Sequence, residues 1–150
     1  MREQHPKLTL PEFPIKTRVF GELQHVFDPI RRKYVALTPE EWVRQHFINY
    51  LIEYKNYPAG LLAVEHPVMV NKMQQRVDIA AFSRDGSPLL VVECKAPEVK
   101  LSHSVFEQAS RYNLTLRAPL LAVTNGIKHF CSRVNLEQQS FTMLRELPDY

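Results

Sequence analysis

The chain alternates between segments with helical periodicity and segments with strand periodicity. Val43, Phe47, Tyr50, Leu51 and Tyr54 recur at intervals of three and four, which predicts a helix with a buried stripe ending near Lys55. Its start is written in Thr38-Pro39-Glu40-Glu41. Thr38 is a capping residue, Pro39 suits the first helical position, and Glu41 completes a capping box. Tyr57-Pro58-Ala59-Gly60 stops the helix. A second helix is expected from about Ser102 to Arg117, with Val105, Ala109, Tyr112 and Leu116 on one side.

Between the helices, Leu61 to Val70, Gln75 to Phe82 and Leu89 to Lys95 read as strands. The last two are joined by the turn chemistry of Ser83-Arg84-Asp85-Gly86-Ser87. The run LLVVECK opens as unbroken apolar sequence, the mark of a central strand covered on both faces. A fourth strand, PLLAV, closes at Thr124-Asn125-Gly126, and weaker strands follow near Ile127 to Val134 and Ser140 to Leu144. Upstream, Ile15 to Leu37 reads as two strands joined at Asp28-Pro29. The cluster Arg31-Arg32-Lys33 beside that turn is either a solvated turn or a phosphate contact. Residues 1–14, with Pro6, Pro11 and Pro14, read as an extended arm. The predicted fold class is α/β: an αβββαβ core with a mixed sheet flanked by helices and β additions at both ends. It forms one domain over 1–150 with its core at about 37–130.

Composition narrows the classes. Hydrophobic residues at 45% and charged residues at 23% describe a globular domain. No apolar run approaches the roughly 20 residues of a membrane span, and the N-terminus is too polar for a signal peptide. A cytoplasmic protein without membrane attachment is expected. Cys94 and Cys131 are too few for a disulfide framework or a four-ligand zinc site, and both sit in apolar stretches as buried thiols. The net charge of +3 permits a phosphate-bearing partner without requiring one. With four glycines and no glycine-rich phosphate loop, no nucleotide cofactor is expected.

The chemistry concentrates in RVDIAAFSRDGSPLLVVECKAP. Alternation along a strand puts Glu93 and Lys95 on one side and Leu90, Val92 and Cys94 on the other. Ending an apolar central strand with two charges is costly unless they are paired or serve a ligand. Asp78 raises the same question, since it interrupts the apolar run Val77-Ile79-Ala80-Ala81. The hairpin implied by Asp85-Gly86 lets Asp78 lie beside Glu93. Two carboxylates and an amine at adjacent strand ends suit a hydrolytic site for phosphodiesters. The carboxylates hold Mg²⁺, which favours oxygen ligands, and the metal screens charge building on a phosphate. The other reading is an ion-pair cluster that fixes strand register.

Asp78, fourteen intervening residues and then Glu93-Cys94-Lys95 resemble the D-(x)n-ExK core of the PD-(D/E)xK nuclease superfamily. With TPEEWVRQHF, VVECKAP, FEQASRYN and VTNG in that order, the region from about Leu37 to Phe130 is similar to the N-terminal nuclease domain of type I restriction enzyme R subunits. Val77 stands where the superfamily's nominal proline falls. The resemblance implies a Mg²⁺-dependent nuclease acting on DNA, with Mn²⁺ as a substitute metal. It implies Asp78, Glu93 and the backbone carbonyl of Cys94 as metal ligands, Lys95 as the catalytic lysine, and a glutamate of the first helix, Glu41 or Glu40, as a further member. Each glutamate also has a structural use, Glu41 in the capping box and Glu40 with Arg44 at i+4. Gln108 and Tyr112 match a Q-x-x-x-Y motif of related nucleases, and their spacing of four sets both on one helix face. The second expectation is a non-catalytic nucleic-acid- or protein-binding module on the same fold. A protein partner or a homodimer is compatible with either.

Overall fold

The computed structural model describes residues 4–150, so the first three residues of the expected arm lie outside it. The chain runs β1 (Thr17–Phe20), β2 (Leu23–Asp28), β3 (Lys33–Ala36), α1 (Pro39–Tyr54), a short 3-10 turn at Ala59–Leu61, β4 (Leu62–Val70), β5 (Met73–Phe82) and β6 (Pro88–Cys94). It continues through α2 (His103–Leu116), β7 (Leu120–Thr124), β8 (His129–Asn135) and β9 (Ser140–Leu144). Strands β4 to β9 form a six-stranded sheet in sequence order, and β1 to β3 form a separate three-stranded sheet. Every neighbouring pair is antiparallel except β6 and β7, whose parallel pairing needs the crossover that α2 supplies. The predicted order of helix, three strands, helix and strand, with β additions at both ends, is the observed architecture.

The large sheet is covered by one helix on each face. Val43, Phe47, Ile48 and Leu51 of α1 share a core with Ile79, Leu90, Val92, Cys94 and Ala122. Ala109 of α2, flanked by Val105 and Tyr112, packs with Val77, Val91, Leu121 and Val123. Consecutive residues of β6 thus feed opposite cores, which is why the strand reads as continuous apolar sequence. A fully buried Leu or Val contributes about 1.5–3 kcal/mol, so β6 and β7 are the mechanical centre of the fold.

Thr38 caps α1 through its Oγ1, which accepts the Glu41 N–H at 3.1 Å. The reciprocal half of the capping box is not made, because the Glu41 carboxylate is drawn to arginines instead. The buried stripe is also narrower than its periodicity implies, as Tyr54 is 55% exposed and Tyr50 is half-buried. Residues 15–37 hold three strands where two are expected. The break missed in the sequence is the two-residue turn at Gly21-Glu22, where Phe20 pairs with Leu23 and Gly21 supplies a φ of +62°.

The arm docks on the core: Leu8 and Leu10 are buried, and the Thr9 N–H donates to the Gly126 carbonyl at 2.9 Å. Gly126 has a φ of +85°, and a Cβ there would stand 2.7 Å from Leu8 Cδ2. This position needs glycine for both reasons. Cys94 and Cys131 are free and buried, and burial pushes both thiols up. No helix among the described residues is long and apolar enough to cross a membrane.

Candidate active site

The β5–β6 register carries Ile79 opposite Val92, so the next step brings Asp78 opposite Glu93. At that step the backbone ladder gives way to a side chain: Asp78 Oδ2 accepts the Cys94 N–H at 2.7 Å. On its other edge β5 pairs with β4 through Val64–Ile79 and then His66–Val77, leaving Glu65 and Asp78 unpaired between them. Glu65 takes a φ of +53° there, a left-handed conformation that costs a non-glycine residue about 1–2 kcal/mol. The interruption turns the Glu65 carboxylate towards Arg31, Arg44 and Arg76, at 3.4, 3.7 and 3.8 Å.

Glu93 and Lys95 lie on one side of the chain, with Lys95 Nζ 3.7 Å from Glu93 Oε1. Glu93 Oε2 is buried and has no hydrogen-bond partner. Burial pushes the Glu93 carboxyl up to about 8, helped by repulsion from Asp78 and opposed by Lys95. Asp78 is also raised by burial, against the pull of Arg44 and of the Cys94 N–H. The two buried carboxylates thus share two cations, Arg44 on Asp78 and Lys95 beside Glu93, and burial with repulsion from Asp78 still favours a proton on Glu93.

Arg44 of α1 was not singled out by its sequence. Its guanidinium donates to Asp78 Oδ1 at 3.0 Å, to Glu41 Oε1 at 3.3 Å and to Glu40 Oε1 at 3.4 Å, while its Nε is buried without a partner. A signal was present: residues 44, 47, 48 and 51 form one helical stripe, so Arg44 is a charge placed on the apolar face. Arg31 was likewise misplaced by the expectation of a solvated turn or a phosphate contact. It bonds Asp28 Oδ2 at 2.5 Å and Glu41 Oε1 at 2.6 Å, and its side chain is largely buried. Asp28 in turn accepts the Ile30 and Arg31 backbone N–H groups.

The two helix glutamates part company. Glu41 is buried among Arg31, Arg44 and Gln45, whose Nε2 donates to it at 3.1 Å. Glu40 is half-exposed, and burial together with the charge on Asp78 raises its carboxyl, while Arg44 and Lys95 lower it. Glu40 is thus coupled to Asp78 and Lys95 through their charges, while Glu41 reaches Asp78 through the shared Arg44. Gln108 and Tyr112 share a face of α2, with Gln108 Nε2 donating to the Tyr112 hydroxyl at 3.3 Å. They line a cleft of about 230 Å³ with Gln75, Arg111 and the Asn71 turn of the β4–β5 hairpin. Their recorded side-chain bond is to each other rather than to Asp78, Glu93 or Lys95.

The donor set fits a hard divalent cation in part. Asp78 and Glu93 offer carboxylate oxygens, one of them buried and unpartnered, although Arg44 and Lys95 already stand 3.0 and 3.7 Å from the pair. Among the described residues no group of three or more His, Cys, Asp or Glu side chains is arranged as a metal cluster. A cation here would complete its shell with backbone oxygen and water, as Mg²⁺ commonly does.

Three comparisons with known proteins bear on this arrangement. Over 75% of its length the chain resembles the fragment structure of a protein designated an HsdR subunit of a type I restriction enzyme, from Vibrio vulnificus YJ016. The TM-score is 0.54 and the identity 19%, which shows a shared fold. The chain spans about a quarter (24%) of that structure's length. No curated protein matches the sequence. The family model for the type I restriction enzyme R protein N terminus (HSDR_N) matches residues 39–148, from the start of α1 to beyond β9. Most of the chain, including Glu40, Asp78, Glu93, Lys95, Gln108 and Tyr112, falls within that match, and the protein belongs to the type I restriction enzyme R protein N-terminal family.

Proposed function

We propose that the chain is a metal-dependent nuclease of the PD-(D/E)xK type that hydrolyses DNA phosphodiester bonds. The observation that carries the reading is the meeting of Asp78, in the middle of β5, with Glu93 at the end of β6 and Lys95 just beyond it, with Glu93 Oε2 buried and unpartnered. Family membership supports it. Asp78, Glu93 and the backbone carbonyl of Cys94 would hold Mg²⁺ or Mn²⁺, which supplies Lewis-acid screening of the phosphate when bound. The Lys95 ammonium, fixed by Glu93, orients the attacking water and stabilises the charge developing on phosphorus-bound oxygens. Arg44 fixes the Asp78 rotamer from behind. Of the two helix glutamates we take Glu40 as the site member and Glu41 as part of the arginine network. Gln108 and Tyr112 contact the DNA backbone from the neighbouring cleft. The domain works in the cytoplasm on DNA, with a protein partner or a second copy supplying affinity and the second cut.

Arg44 favours a second reading, a non-catalytic nucleic-acid- or protein-binding module. An internal cation already sits on Asp78, as a structural ion cluster would have it. Cleavage of supercoiled plasmid with Mn²⁺ at low salt separates the two. Nicking that vanishes in Lys95→Ala and Asp78→Ala is expected. A folded wild type that neither cuts DNA nor binds Mn²⁺ in calorimetry selects the module.

A further inference from the structure

On one side the three-stranded sheet is buried at β2 only, since Thr17 and Val19 of β1 on that side are exposed, and its other side carries the exposed Arg18, Phe20 and Leu23. Val26 and Asp28 turn inward, at 1% and 0% exposure. The alternate positions turn outward: Lys16, Arg18 and Phe20 from β1 and its approach, His25 and Phe27 from β2, and Tyr34 from β3. Cross-strand register ties them together, since Arg18 pairs with His25, Phe27 pairs with Tyr34, and the Phe27 N–H donates to the Lys16 carbonyl. The rings form a continuous surface. Phe20 meets His25 at 4.8 Å and Tyr34 at 5.8 Å between centroids, and Tyr34 meets Phe27 at 5.3 Å. The cations lie over those rings: Lys16 Nζ is 5.0 Å from the Phe27 centroid, and the Arg18 guanidinium carbon is 5.0 Å from that of Tyr34.

Charge follows the same boundary. Residues 15–36 hold five Lys or Arg against two Asp or Glu, a net +3 equal to that of the whole chain. Of the two acids, Asp28 is buried on Arg31, which leaves Glu22 in the β1–β2 turn as the exposed carboxylate of this segment. Phe20 is 47% exposed and Leu23 65%, an unusual outlay of apolar surface for an edge hairpin.

Interleaved aromatic and basic side chains on an open sheet face suit a polymer that presents flat rings and phosphates together. A duplex hides the faces of its bases, whereas an unpaired strand offers them for stacking while its phosphates meet lysine and arginine. A second copy of the same face would bring Lys16 and Arg18 of both copies together with only Glu22 of each to balance them, which disfavours a symmetric dimer here. We propose that the outer face of β1–β3 binds single-stranded nucleic acid, with the exposed Phe20 ring as base-stacking platform, Tyr34 bracing Phe20 edge-on beneath Arg18, and Lys16 and Arg18 as phosphate contacts. This site is separate from Asp78 and Glu93 and stands whether or not those residues catalyse.

The test is fluorescence anisotropy of a short labelled oligothymidine with the full chain at low salt and with EDTA, so that hydrolysis cannot intervene. Binding is expected to be tighter for the single strand than for a duplex and to weaken steeply with added salt. Phe20→Ala and Tyr34→Ala should each weaken it by about fivefold or more. Phe20→Trp should retain binding and show indole quenching beyond that of the wild type, a direct sign of stacking. Arg18→Glu should weaken binding, while Lys128→Glu in the β7–β8 turn, an equal change of net charge, should stay within about twofold. Thermal melts identify any variant that has lost its fold, and the Phe20→Trp readout then stands alone. Equal affinity for duplex, indifference to Phe20→Ala and Tyr34→Ala, or an equal loss in Lys128→Glu overturns the proposal. A change in oligomeric mass on Phe20→Ala without oligonucleotide binding also overturns it, and assigns the face to a second copy.

Discussion

The Arg44 guanidinium on α1 donates to Asp78 Oδ1 on β5 at 3.0 Å, a contact between residues 34 positions apart. It couples the helix covering one face of the large sheet to the carboxylate at the centre of the candidate site. Arg44→Ala leaves Asp78, Glu41 and Glu65 with less positive charge in a buried setting. A loss of about 3–5 kcal/mol is expected, measured by urea denaturation without divalent metal. Mn²⁺ should then raise the melting temperature more in Arg44→Ala than in wild type. An equal rise in both would mean that the metal and Arg44 do not share Asp78.

Glu93 supplies a pH dependence whose sign is fixed. Its folded-state value of about 8 lies above the ordinary carboxyl value of 4.5, so between these limits the native state holds more protons than the unfolded chain. Stability of the metal-free protein therefore falls as pH rises through that window. Glu93→Gln removes the cost, and its melting temperature should exceed that of wild type by about 3 °C or more at pH 8, with the gap closing towards pH 5. Calorimetry across the same range should find Mn²⁺ binding to wild type tightening with pH, since the cation displaces the Glu93 proton.

Glu40 and Glu41 should separate cleanly. Glu41→Gln weakens contacts to Arg31, Arg44 and Gln45 and is expected to lower stability by about 1–3 kcal/mol. Glu40→Gln, half-exposed, should stay within about 0.5 kcal/mol of wild type while weakening Mn²⁺ binding and DNA cleavage. The reverse assignment of effects in melts and calorimetry would return Glu41 to the site.

Gly126→Ala should destabilise by about 1–2 kcal/mol, because the φ of +85° is strained for alanine and the new methyl presses on Leu8. In a Leu8→Ala background the closest contact disappears and Val43 Cγ2 at 3.1 Å remains, so the second substitution should cost less than it does alone. Additive losses in a double-mutant cycle of melts would show that the methyl finds room without the arm moving.

Much of this site was legible because it rests on local rules. Apolar β6 with a charged end, the Asp-Gly turn and strand alternation together bring Asp78 to Glu93. Gln108 and Tyr112 were singled out by their resemblance to a nuclease motif, and helical spacing gave only their shared face of α2. Arg44 was read as the i+4 partner of Glu40, a contact that forms, but its link from α1 to β5 and the links of Arg31 from the β2–β3 turn to α1 and β4 were missed because tertiary packing fixes them. The turn at Gly21 was missed for a local reason, since Val19-Phe20-Gly21-Glu22-Leu23 offers one glycine and no Asn or Asp beside it.

The docked arm has a consequence for how the chain is made. Leu8 and Leu10 leave the ribosome long before their docking site, since the Gly126 carbonyl that receives Thr9 N–H is synthesised 117 residues after Thr9. At about 5–20 residues per second, those two leucines wait for seconds without their burial partners. The arm is therefore a late-closing strap, and its flanking prolines, Pro6, Pro11 and Pro14, keep the waiting segment out of premature strand pairing.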